Sequence, residues 1–466
     1  MTTAAIPRPH PLGGLAPVLI GVAVGVAVPV IVMFGQQWLI LTAAAAALLA
    51  ISLLRGDQAD LLSPPIVFTG LWILCAWVGA QIVSVEQQPW NATVWLCVVG
   101  VVPAFWIGDF AARFLDGSVG ERLSPVPMQV KPWPVGPVVL WGCVWWGLAT
   151  LFTFYEFATI VGGVPLLMEG WEQARMMSGE GYLGRLIHEI AYSQMLLAIV
   201  IFVAILTQPR LFCFATMPLW ALWCATVGVF MLWGSRHNLV YPAAAGVVAV
   251  HCLRWRLGPG RVAAAALLGF AFLAIVGYVR TTLAWEETDL DWAEVLADIG
   301  YSGWPPQLAQ IHQTIAINFE IFRRLTETFP VYESYHLGAF TMQGIWSILP
   351  GEQLTLAEWQ NIHWNTGFYG SLTATHMGAP YADFGPAGVF LWTGIFAGVM
   401  RLLHSAMRRR PSGALVVWFS FMMIALFMAP YDNLLVKLSF PIRVIILWLG
   451  MTAMGVRVLD SPWRAT

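Results

Sequence analysis

Apolar residues recur along this chain in blocks of about 20 separated by short polar interruptions, the length a helix needs to cross a hydrocarbon core at about 1.5 Å per residue. Blocks at 15–34, 38–54, 64–84, 92–112, 135–156, 186–207, 212–233, 238–253, 262–281, 385–403, 412–430 and 438–456 predict about twelve spans. The first follows Arg8 with no small-residue cleavage site before the second begins, so it reads as a retained helix. Two connections break the rhythm. The stretch 157–184 carries Glu169, Glu172, Arg175 and Glu180 among glycines, and 283–384 is longer than a loop without structure of its own. Inside it, Leu308, Ile311, Ile315, Phe319 and Phe322 fall at helical spacing and predict a helix over 306–328. The Gly-rich, aromatic stretch from Phe340 to Leu349 is too broken to span and is expected on the membrane surface or beside a cavity. The fold class is therefore an all-α polytopic membrane protein, one membrane domain over 1–466 with a loop insertion at 283–384.

The positions of Lys and Arg orient this ladder. With both termini inside, Arg8, Arg55, Arg113, Arg122, Lys131, Arg210, Arg254, Arg256, Arg261, Arg401, Arg408, Arg409, Arg410, Arg457 and Arg464 fall on the cytoplasmic side, 15 of the 23 basic residues. The long insertion is then extracytoplasmic. Arg175, Arg185, Arg236, Arg280, Arg323, Arg324, Lys437 and Arg443 fall at the opposite ends, where topology gives no reason for them.

Composition adds the solvent. Apolar residues make up 59% of the 466 and charged residues 10%, with 25 Trp, more than one soluble core of this size can hide. The six cysteines all lie in apolar blocks without C-x-x-C spacing and read as small buried hydrophobes.

An arginine at a helix end either snorkels to the interface or lines a polar cavity, and both readings stand for each of the eight. Snorkelling suits Arg185 and Lys437, which lie close to loops. Arg236 in Gly234-Ser235-Arg236-His237-Asn238, Arg280 after Tyr278-Val279 and Arg443 after Pro441 are candidates for a basic cup, because the guanidinium fork matches phosphate oxygens. Nucleotide donors are absent outside the cell, which leaves polyprenyl phosphates and pyrophosphates as the anions. The insertion offers His312, His336, His363 and His376 with several carboxylates including Asp383 as candidate bases, although a surface role is the commoner fate of each. Its aromatic residues, Trp364 and Tyr381 among them, either anchor the loop in the interface or stack on sugars. Asp289-Leu290-Asp291 matches D-x-D but reads more simply as a solvated turn, so no metal site is expected.

The Gly234-Ser235-Arg236 turn, the long outer loop, and His376-Met377-Gly378-Ala379-Pro380-Tyr381-Ala382-Asp383-Phe384-Gly385-Pro386-Ala387-Gly388 entering a helix resemble the oligosaccharide repeat-unit polymerases, the O-antigen polymerase family. The resemblance covers nearly the whole topology. It implies inverting, metal-independent transfer between two polyprenyl-pyrophosphate-linked glycans at the outer face of the cytoplasmic membrane. By that resemblance Arg236, Arg280 and Arg443 hold the pyrophosphate, His376 or Asp383 takes the acceptor proton, and Tyr381 and Trp364 meet sugars. It implies no cofactor and no nucleic acid; the partners are the lipid-linked donor and acceptor, the bilayer, a chain-length regulator and a flippase. The related O-antigen ligases carry His-Asn where this chain has His376-Met377, which favours polymerase over ligase. A ligase-like or other lipid-linked-sugar transferase is the alternative within enzymes, and a transporter of polysaccharide or lipid-linked sugar is the alternative outside them.

Overall fold

The computed structural model describes residues 60, 62–117, 126–164, 181–233, 237–258, isolated positions between 260 and 275, 292–346, 354–364, 373–437 and 439–456. Among these the architecture is all-helical, without strands. Its helices are α1 (Pro64–Ala80), α2 (Ala92–Leu115), α3 (Val135–Glu156), α4 (Gly181–Tyr192), α5 (Gln194–Thr207), α6 (Met217–Met231) and α7 (His237–Leu253), followed by α8 (Trp292–Leu296), α9 (Pro306–Thr328), α10 (Gln343–Trp346), α11 (Leu356–Trp364), α12 (Gly378–Arg409), α13 (Gly413–Met428) and α14 (Ser439–Ala453). The predicted spans 15–34 and 38–54 lie outside the described residues, and of 262–281 only isolated positions are described.

Local chemistry starts several helices where they begin. Proline opens α1, α6 and α9, where its missing N–H is harmless. Asn91 caps α2 by accepting from Val94 N at 2.9 Å, and Ser412 caps α13 by accepting from Leu415 N at 3.2 Å. The amide of Asn91 also donates to Thr326 Oγ1 at 3.0 Å, which fastens the start of α2 to α9.

Four segments, Ala92–Leu115, Val135–Val161, Leu186–Thr207 and Gly378–Arg409, are long and apolar enough to cross a membrane, and five shorter apolar helices accompany them. Their packing differs. Of the Leu186–Thr207 window 83% is buried inside the protein, against 17% for Val135–Val161, so α5 is central and α3 peripheral. On α3, Leu140, Val144, Leu148 and Leu151 form an exposed stripe, and Leu391, Ile395, Val399 and Leu402 repeat it on α12. Apolar stripes this long, left uncovered by protein, call for lipid. Helix α2 meets α12 closely: a Cβ on Gly108 would stand 2.1 Å from the Gly394 carbonyl oxygen, so only glycine fits that crossing. All six cysteines are free, but only Cys75, Cys97 and Cys252 are buried, while Cys143 and Cys224 face outward. The expectation that all six are buried is corrected, because an apolar block has a lipid face as well as a core face.

The bundle has two distinct ends. At one, the Asp60 carboxylate accepts from Arg408 Nη1 at 2.8 Å, lies 2.9 Å from His251 Nε2 and 3.5 Å from His404 Nε2. Burial alone would raise the Asp60 pKa, but the hydrogen bonds and charges of His251 and His404 hold it well below the usual carboxylate value. Arg409 donates to the Asp116 carbonyl at 3.1 Å and Arg254 to the Gln208 carbonyl. The start of α1 and the far ends of α2, α5, α7 and α12 therefore share this basic end. At the other end, Val85 N donates to Ile299 O at 3.0 Å and Gln88 N to Glu320 Oε2 at 3.4 Å, placing 292–328 over the end of α1 and the start of α2. Helix α9 spans the predicted 306–328, with its buried face on Ala309, His312, Ala316, Phe319, Phe322 and Arg323, while the predicted Leu308 is exposed.

Helix α12 is broken. Gly385 has φ +65 and ψ −155, and Thr393 Oγ1 lies 3.0 Å from His376 Nε2. Seventeen residues of unbroken helix would separate those atoms by about 25 Å, so 376–384 folds back along the body of α12. The break falls where the sequence places the start of the span.

Candidate functional site

The end of the bundle opposite the Asp60 network holds a second set of charges, assembled from α3, α4, α6, α7 and α14. Glu156 closes α3 and is fully buried, and a π-turn over Phe157–Val161 follows it directly. Such turns widen a helix locally and recur at functional sites. The α4 helix returns beneath it, so that His188 Nδ1 lies 3.0 Å from Glu156 Oε1. The other oxygen, Glu156 Oε2, is buried without a hydrogen-bond partner. Trp145 Nε1 donates to Ser193 Oγ at 2.8 Å and Gln194 Nε2 to Thr153 Oγ1 at 3.1 Å, which lock α3 to the α4–α5 junction and fix the dyad.

The next residue on α4 reaches across the bundle. Glu189 accepts from Arg443 Nε at 2.8 Å and from Nη2 at 3.2 Å, a two-point fork with only 8% and 14% of the two side chains exposed. Arg443 lies 5.2 Å over the Tyr192 ring, and the same ring centres 5.2 Å from His188. Trp233, at the end of α6, meets His188 edge-on at 5.1 Å, and its Nε1 is buried without a partner. Tyr241, near the start of α7, lines a narrow cavity with Arg443; the other walls include Met195, Phe421, Ile424 and Phe440. A cation thus heads a largely apolar cleft, with a carboxylate-oriented imidazole one aromatic ring away. That pairing can neutralise an anionic group and accept a proton beside it.

Of the residues singled out by sequence, Arg443 belongs to this set. Arg236 and Arg280 lie outside the described residues, but Trp233 and Tyr241, on either side of the Gly234-Ser235-Arg236 connection, both join it. Arg175 and the Asp289-Leu290-Asp291 motif also lie outside them. Arg323 and Arg324 pair with Glu320, Arg323 also with Glu327, and Lys437 pairs with Asp432.

His376 is placed differently from the expectation of a base held over the membrane surface beside arginines. Because 376–384 folds inward, its ring sits in the core, 4.7 Å from Trp72 and 5.6 Å from Phe68, with Nε2 on Thr393. Its backbone is pinned as well: His376 N donates to Ala429 O at 2.8 Å, and Asn433 Nδ2 donates to His376 O at 2.9 Å. Asp383 is corrected too. It is fully buried and does not cap the helix after Gly385, and among the described residues no arginine bonds to it; its two oxygens accept from the backbone N–H of Phe340 and Thr341, tying the 336–342 segment to α12. Tyr381 is buried with its hydroxyl donating to Phe329 O at 3.3 Å, and Trp364 packs 6.3 Å from Trp359. These two belong to the aromatic packing under the insertion. Among the described residues no hydrogen bond, ion pair or ring contact joins them to Arg443.

Glu156, His188 and Glu189 escape the sequence reading, since 32 residues separate the first two and each sits in or against an apolar block. The one available signal is His188-Glu189, two adjacent polar residues inside the Leu186–Thr207 span. Among the described residues no group of three or more His, Cys, Asp or Glu could hold a metal ion. No protein-family model matches the chain, and no curated protein or solved structure does so either.

Proposed function

We propose that this chain polymerises polyprenyl-pyrophosphate-linked oligosaccharide repeat units by inverting, metal-independent glycosyl transfer at the outer face of the cytoplasmic membrane. The observation that carries the reading is Arg443, an arginine held within the apolar bundle at the end opposite the Arg254, Arg408 and Arg409 end. On the positive-inside rule the latter end is cytoplasmic, so the twelve-span ladder puts Arg443 and the 283–384 insertion outside. A cation there has no nucleotide to bind, whereas a lipid-linked pyrophosphate presents its anion at that depth and its tail to apolar walls such as Phe421, Ile424 and Phe440.

In this reading Arg236, three residues after Trp233 in sequence, and Arg280 supply the further guanidinium groups of the cup. Guanidinium groups neutralise the charge that builds on the departing pyrophosphate, which is the electrostatic work a divalent cation does elsewhere. Glu189 holds Arg443 in place until phosphate oxygens replace its carboxylate.

Deleting the gene and profiling lipid-linked glycans tests the reading. The expected result is accumulation of single lipid-linked repeat units with loss of long chains. Long lipid-linked polymer that fails to reach its acceptor would make the chain a ligase-like transferase, and repeat units stranded on the inner leaflet would make it a transporter.

A further inference from the structure

We infer that His188, oriented by Glu156, is the general base that takes the proton from the acceptor sugar hydroxyl. The inference rests on the glycosyl transfer proposed above. The candidates from sequence are engaged elsewhere: His376 Nε2 is on Thr393 in a core of aromatic rings, and both Asp383 oxygens are on backbone N–H groups. His188 is arranged for the task. Nδ1 is 3.0 Å from Glu156 Oε1, so Nδ1 carries the proton toward the carboxylate and Nε2 keeps its lone pair. Among the described residues Nε2 has no hydrogen-bond partner, and the side chain is 23% exposed while Glu156 is fully buried. The unpartnered Glu156 Oε2 and Trp233 Nε1 are buried polar atoms in the same cluster, as expected where a polar substrate completes the hydrogen bonding.

Position supports the role. The imidazole and the Arg443 guanidinium both pack on the Tyr192 ring, each 5.2 Å from its centre, so base and cation share one aromatic platform. In the reaction the acceptor hydroxyl oxygen bonds to the anomeric carbon of the donor as its proton passes to His188 Nε2. The bond from that carbon to the pyrophosphate oxygen breaks, and its electron pair stays with the polyprenyl pyrophosphate beside Arg443. Among the described residues, Glu156 on α3 and Tyr192 on α4 contact the imidazole, and the Glu189–Arg443 pair of α4 and α14 meets it through the Tyr192 ring. Glu156 is a positioning residue, acting through the imidazole.

The test uses the full-length protein in membrane vesicles supplied with lipid-linked repeat units, in a background where gene deletion has abolished polymer. His188→Ala is expected to lower the rate about 10²- to 10⁴-fold, the range a general base supplies, with the protein still in the membrane. If the alanine variant does not accumulate, His188→Gln, which can still hydrogen-bond Glu156, is measured in its place with the same expectation. Glu156→Gln is expected to lower kcat with little change in KM, because the imidazole loses the carboxylate that orients it. Normal chain extension by accumulated His188→Ala or His188→Gln would overturn the inference and leave the polymerase reading intact. An unchanged glycan profile in the deletion strain would overturn that reading itself.

Discussion

The two ends of the bundle carry charge for different reasons. At one, Asp60 gathers Arg408, His251 and His404 into a network that closes the bundle, and the neighbouring arginines are those the positive-inside rule expects. At the other, Arg443 is set deep against Glu189, with a second carboxylate holding a histidine beside it. A cation that topology accounts for can be mutual scaffolding; one that topology leaves unexplained, in a cleft with apolar walls, asks for an anionic ligand. If the comparison is sound, damage at the first end should show in stability and damage at the second in catalysis.

The largest effect is expected at the second end. Arg443→Ala should abolish polymer, and so should Arg236→Ala and Arg280→Ala, with Arg→Lys rescuing poorly because an ammonium lacks the two-point fork. Arg443→Ala also strands the buried Glu189, at a cost on the order of 3–5 kcal/mol. The double variant Arg443→Met with Glu189→Leu separates the two consequences: accumulation in the membrane should return while polymer stays absent. Recovery of polymer in that variant would reduce the fork to scaffolding, and the two ends would then be alike.

A smaller and opposite effect is expected at the first end. Asp60→Asn weakens the bonds to Arg408, His251 and His404, so thermal stability in detergent should fall while the rate per folded molecule holds. Asp383→Asn should behave in the same way, costing about 1–3 kcal/mol as one oxygen that accepts a backbone N–H becomes a donor. Loss of polymer at normal protein level in Asp383→Asn would restore the carboxylate as a candidate base.

How much of this was legible follows from which signals are local. The α9 boundaries, the break at Gly385 and the grouping of arginines at one end each leave a mark within a few residues, as periodicity, Gly-Pro or charge. Burial does not: α3 and α5 are both apolar, and only packing makes one lipid-facing and the other central. The partners of Arg443 were hidden for the same reason. The Glu156–His188 and Glu189–Arg443 contacts join residues 32 and 254 positions apart. Conversely, His376 and Asp383 looked accessible because Gly378 and Pro380 suggest a surface loop, whereas the chain turns inward and uses both side chains to anchor its own fold.

The smallest effect expected is a pH dependence where α9 meets α1. Burial holds the His312 pKa below the ordinary imidazole value of 6.5, against the Val78 and Gln81 carbonyls, which favour its protonation. The unfolded chain then binds more protons than the folded one below that value, so stability is full above about 6.5 and is lost as pH falls from there toward the lowered folded value. Proteolysis within 292–312 should therefore quicken on acidification, and His312→Gln should flatten the response. An equal response in both proteins would take His312 out of the account.

The most direct measurement is chain extension by the purified protein in vesicles supplied only with polyprenyl-pyrophosphate-linked repeat units and a chelator of divalent cations. The account predicts a ladder of longer lipid-linked glycans with inverted linkages and one polyprenyl pyrophosphate released per bond formed, absent with Arg443→Ala. Repeat units that remain single under these conditions, or a ladder that persists in Arg443→Ala, would contradict it.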